Sequence, residues 1–171
     1  MINLIKESLW KQFGAGIDML GNAIELLPEQ QWNTNRRFFY ISFHTIVFLD
    51  YYLTFPAKDF SPALPFTIND KWEEVEGAVD DLVPNSNYTK KELLDYLQSC
   101  REKCYTIIAS LNDEKVYERW IDESGRMNYS IVEILLYNMR HVQHHSAQLN
   151  MMLRQEINDA PKWVARTHGD L

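Results

Sequence analysis

Four stretches of this chain carry apolar residues at alternating three- and four-residue spacing, and none contains a proline. That pattern is the strongest constraint on the fold, because each stretch must bury one helical stripe against a neighbour. Leu4, Leu9, Phe13, Ile17, Leu20, Ile24 and Leu27 mark the first helix, over residues 2–27, ahead of Pro28. Asn33 or Thr34 is placed to cap a second helix that reaches Phe55, just before Pro56. Thr89-Lys90-Lys91-Glu92 is a capping-box pattern opening a third helix to Leu111. Ser130-Ile131-Val132-Glu133 opens a fourth in the same way, to Gln155. Between the second and third, Pro56, Pro62, Pro65 and Pro84 mark loops, and Asn69–Leu82 reads as a short acidic helix with a solvated face. The tail with Pro161, Trp163 and His168 reads as irregular. The expectation is an all-α fold: a four-helix bundle with a long crossover between helices 2 and 3. With 171 residues, one domain spanning 1–171 is expected.

The net charge of −7 repels phosphate backbones, so no nucleic-acid partner is expected. The longest apolar run, Phe38 to Phe55, is interrupted by Ser42, His44, Thr45 and Asp50, and reads as a buried helix with no membrane association. The first residues have no basic region followed by an apolar run, which argues against a signal peptide. Cys100 and Cys104 share a stripe with Leu93, Leu97, Ile107 and Leu111 and read as small core residues. One helical turn apart, they are poorly placed for a disulfide, so the expected compartment is the reducing cytoplasm.

Three of the five histidines fall within five residues, in Arg140-His141-Val142-Gln143-His144-His145. On a helical wheel Ile134, Asn138, His141, His145, Gln148 and Met152 lie within roughly 40° of one direction. Histidines four apart aim their rings at a common point, which is how one helix supplies two ligands to a metal. His144 lies about 80° away, at the edge of the stripe. On the second helix Tyr40, Ile41, His44, Val47, Phe48, Tyr51 and Phe55 share a face, and His44 is its only imidazole. A lone histidine on an apolar face is ordinarily a hydrogen-bonded core residue. Facing a histidine pair on another helix, it becomes a candidate third ligand. Three imidazoles leave one coordination position open, the catalytic arrangement, with zinc or nickel the expected ion. Gln148 and Asn138, one turn beyond and one turn before the pair, are placed to orient ligands or substrate, and Tyr40 and Tyr51 flank His44 as pocket or core aromatics. Asp50 points about 120° away from His44, which makes it a poor candidate for direct contact with the ion. Haem attachment lacks its Cys-x-x-Cys-His motif, and no Glu-x-x-His pair supports a di-iron site. The competing reading is a bundle core with hydrogen-bonded histidines.

The stretch Tyr137-Asn138-Met139-Arg140-His141-Val142-Gln143-His144-His145-Ser146-Ala147-Gln148-Leu149 resembles the DinB/YfiT-like metalloenzyme family, as does the order of elements along nearly the whole chain. Histidine, three residues, histidine, then a glutamine three further on is that family's pattern. The resemblance implies a four-helix bundle, a divalent-metal site of His44, His141 and His145, and a homodimer. It also implies a class of activity: a low-molecular-weight-thiol-dependent S-transferase, or a related hydrolase or isomerase, acting on a small-molecule substrate. The alternative is a non-catalytic dimeric metal-binding or stress-related protein. Many members carry Arg-Gly after the last histidine, where this chain has Ser146-Ala147.

Overall fold

The structure is a computed structural model that describes residues 2–169 and 171. The four stripes form four long helices: α1 (Ile2–Leu26), α3 (Arg36–Tyr52), α4 (Lys90–Ser110) and α5 (Ile131–Ile157), with a single turn, α2 (Glu29–Trp32), after α1. α1 and α3 each pack against both α4 and α5. The core joins Phe13, Ile17, Leu20 and Ile24 of α1 to Leu93, Leu97 and Ile108 of α4 and to Leu135, Val142 and Leu149 of α5. Each such side chain contributes about 1.5–3 kcal/mol by leaving water. The α1 stripe begins at Leu9; Leu4 is 69% exposed and does not join the core.

The cap signals explain where most helices start. The Thr89 hydroxyl accepts from the Glu92 N–H, and the Glu92 carboxylate accepts from the Thr89 N–H, closing the box that opens α4. The Ser130 hydroxyl accepts from the Glu133 N–H at the start of α5. The second long helix departs from expectation. Residues 33 and 34 are spent leaving the α2 turn, so Asn35 is the cap, its side-chain oxygen accepting from the Phe38 N–H at 3.1 Å. The helix ends at Tyr52, short of the expected Phe55: Leu53 is the C-cap, at φ −93° and ψ 1°, and its N–H donates to the Asp50 carbonyl.

The crossover contains β1 (Phe66–Ile68) paired antiparallel with β2 (Leu82–Pro84), Thr67 opposite Val83. The acidic helix expected over Asn69–Leu82 does not form. The Asn69 side chain accepts from the Lys71 N–H, Trp72–Glu74 makes one 3₁₀ turn, and Gly77 turns the chain at φ 83°. That glycine also permits close approach: a Cβ there would sit 2.6 Å from the Arg36 Cβ and 2.7 Å from its carbonyl carbon. The Arg37 guanidinium donates to the Ala78 carbonyl, so the crossover is held on the first turn of α3.

A second hairpin, β3 (Arg119–Ile121) with β4 (Asn128–Ser130), leads into α5. Its Trp120 is buried, donates to the Thr54 carbonyl at 3.0 Å and meets Tyr51 and Tyr52 edge-on. The irregular tail returns to α1, where the Thr167 N–H donates to the Lys11 carbonyl and its methyl fills the space above Gly14.

Cys100 and Cys104 are buried free thiols, and burial pushes both pKa values up, so they stay protonated core groups. Asp50 joins α3 to α4, pairing with Lys103 at 2.6 Å and accepting from the Tyr96 hydroxyl at 2.7 Å. No helix among the described residues is long and apolar enough to cross a membrane.

Candidate metal centre

α3 and α5 lie side by side, and the packing turns His44 toward the pair on α5. His44 Nε2 lies 3.1 Å from His141 Nε2. Ring centroids are 5.1 Å apart for His44 and His141, 4.7 Å for His44 and His145, and 4.6 Å for His141 and His145. One nitrogen from each residue lies within 4.8 Å of the other two, a group that could hold one ion. Two imidazoles bound tetrahedrally to zinc at about 2.0–2.1 Å hold their nitrogens roughly 3.3 Å apart. The shortest observed separation is close to that value.

Hydrogen bonds behind the rings fix which nitrogen faces inward. Asp80 Oδ2 lies 2.7 Å from His44 Nδ1, and Gln148 Oε1 lies 2.7 Å from His145 Nδ1. Both partners are acceptors, which assigns the proton to Nδ1 and leaves Nε2 as a lone pair directed at the cluster. His141 Nδ1 is buried without a hydrogen-bond partner among the described residues. Burial is the largest influence on His141 and, with repulsion from the neighbouring imidazoles, lowers its pKa to about 3. Burial, then His44, lowers that of His145 to about 4. Both are neutral at pH 7, the form that binds a metal ion. An all-nitrogen, partly buried set of three imidazoles fits a borderline divalent ion such as zinc or nickel.

The surroundings are aromatic. Phe48 lies 4.7 Å from the His44 ring and 5.7 Å from that of His141, and Tyr52 lies 5.9 Å from His141. On the open side His141 borders a surface cavity of about 410 Å³ with Tyr137, Arg140, Gln143 and His144.

The remaining expected residues divide. Gln148 meets His145 as described. His144 is exposed, its ring 4.9 Å from that of His145 and outside the three-nitrogen cluster. Asn138 is fully buried but turns to α3, donating to the Leu49 carbonyl at 3.0 Å. Tyr40 packs against Phe39 and under the Arg36 guanidinium. Tyr51 stacks among Phe48, Tyr52, Phe60 and Trp120, one ring removed from His44. Ser146, in the place of the arginine many DinB/YfiT-like proteins carry, is fully buried. Sequence reasoning missed Asp80, Tyr52 and Tyr137. Nothing local marks Asp80, which reaches His44 only once the crossover has folded back.

An all-α bundle that gathers imidazoles from two helices at one point defines a class of helical proteins with a group that could hold a metal ion. The sequence model of the DinB family matches residues 70–156, and the chain belongs to that family. The matched segment contains Asp80, His141 and His145 and leaves out His44. No curated protein and no solved structure matches the chain.

Proposed function

We propose that His44, His141 and His145 bind one divalent ion, zinc or nickel, and that the protein is a metal-dependent enzyme using a low-molecular-weight thiol to modify a small electrophilic substrate. The observation that carries this reading is the 3.1 Å approach of ring nitrogens from two separate helices. A bound divalent ion supplies a Lewis acid that lowers the pKa of a thiol or water in the position three imidazoles leave open. The chain's own residues do the rest. Gln148 holds the His145 ring, Phe48 and Tyr52 exclude water from one side, and Arg140, Gln143 and His144 line the approach on the other. Both cysteines are buried, which agrees with the nucleophile coming from a cofactor thiol.

The test is a screen of low-molecular-weight thiols against electrophilic acceptors, with zinc, with nickel and with chelator. Thiol-dependent turnover should vanish with chelator and in His145→Ala. Metal binding without turnover for any thiol would favour the other reading, a non-catalytic metal-binding or stress-related protein. We further propose a homodimer through the face of α1 and α5 where Leu4, Ile5, Val132 and Leu136 border an apolar groove of about 440 Å³. Sedimentation at the mass of one chain would remove this part.

A further inference from the structure

We propose that Asp80 is the residue that positions His44, so that the crossover, and not the helices alone, sets the affinity of the metal centre; the inference rests on the three-histidine reading above. Asp80 is held at both oxygens. Oδ2 accepts from His44 Nδ1 at 2.7 Å, and Oδ1 accepts from the Leu82 N–H at 3.1 Å. The backbone around it is pinned on two sides. The Asn69 N–H donates to the Asp81 carbonyl at 2.8 Å, closing the β1–β2 hairpin. Arg37 holds the Ala78 carbonyl, and Gly77 lets the chain lie directly on Arg36. These contacts fix the carboxylate relative to the first turns of α3.

The chemical consequence follows from what a carboxylate can do. It only accepts, so it draws the His44 proton to Nδ1 and leaves Nε2 free to face His141 and His145. It also stops the ring from rotating about its χ angles and makes Nε2 a better donor to a cation. Carboxylates behind metal-bound imidazoles act in this way, and losing one typically costs about 10–100-fold in metal affinity. A plain ion pair between the crossover and α3 is the competing role; at a partly exposed site it contributes little and does not select a histidine tautomer. Coupling also runs in reverse: a cation on Nε2 strengthens the Nδ1–H donor, so binding should tighten the crossover.

The experiment titrates zinc into wild type, Asp80→Ala, Asp80→Asn and Asp81→Ala, the last removing a neighbouring exposed carboxylate. Asp80→Ala should bind zinc about 10–100-fold more weakly and Asp81→Ala as wild type does. Asp80→Asn, nearly isosteric and still an acceptor, should lose less than Asp80→Ala, and it reads the effect even if the alanine variant folds poorly. In metal-free protein, long-range nitrogen–proton NMR should show His44 as a single Nδ1–H tautomer in wild type and a mixture in Asp80→Ala. Zinc should raise hydrogen-exchange protection over residues 66–84 in wild type but not in Asp80→Ala. Zinc affinity in Asp80→Ala equal to that of Asp81→Ala, or an unchanged His44 tautomer, overturns the inference while leaving the three-histidine site standing. If the tautomer follows Asp80 but wild type takes up no zinc, the three-histidine reading has failed and the affinity role of Asp80 falls with it.

Discussion

His141→Ala protein should emerge from purification with almost no divalent metal, where the wild-type protein carries about one ion per chain, the load a single three-imidazole site holds. Of the three histidines, His141 sits at the centre of the contacts. Its Nε2 is 3.1 Å from His44 Nε2, its ring is 4.6 Å from that of His145, and Phe48 and Tyr52 pack against it. Losing a group that only holds a ligand from behind costs about 10–100-fold, and losing a ligand itself must exceed that. Two imidazoles left on different helices have no third donor to close the set. His144→Ala provides the contrast. That residue is exposed and outside the cluster, so the variant should keep its metal. Elemental analysis after dialysis, with helical content checked by circular dichroism, makes the comparison. Unchanged metal in His141→Ala, or a greater loss in His144→Ala, would contradict the ligand assignment.

Trp120→Ala should be strongly destabilising. The side chain is 1% exposed, closes the aromatic group of Tyr51, Tyr52 and Phe48, and satisfies the Thr54 carbonyl at the end of α3. Truncating a fully buried tryptophan costs about 3–5 kcal/mol. At about 2–4 °C per kcal/mol for a chain of this size, Tm should fall by roughly 10 °C. The effect should also reach the site, because Tyr52 touches both Trp120 and His141. Zinc added to the variant should therefore restore part of the lost Tm, since ligand bound only to the folded state stabilises it. A Tm within two or three degrees of wild type would show that the β3–β4 hairpin is an ornament on the bundle.

Much of this architecture was legible before folding because it is written in local periodicity. The stripe from Leu9 to Ile24, the Thr89–Glu92 box and the spacing of His141 and His145 each depend on residues within one or two turns. His44 was legible as the one imidazole on its helical face. The rest depends on contacts distant in sequence. Three-residue strands such as Phe66–Ile68 and Arg119–Ile121 contain too few alternations to stand out from loops. Asp80 sits in a segment whose acidity reads as a solvated helix, and its partner lies 36 residues earlier. Asn138 shows the limit of a helical wheel. Its inward direction is as expected, but the neighbour it meets is the Leu49 carbonyl rather than the histidines. A wheel fixes direction around one helix and says nothing of height along the next.

X-ray absorption on zinc-loaded protein tests the shared coordination of His44, His141 and His145 most directly. Three imidazole nitrogens at about 2.0–2.1 Å, falling to two in His44→Ala, are the result this structure predicts. A shell dominated by sulfur, or an imidazole count that His44→Ala leaves unchanged, would contradict it.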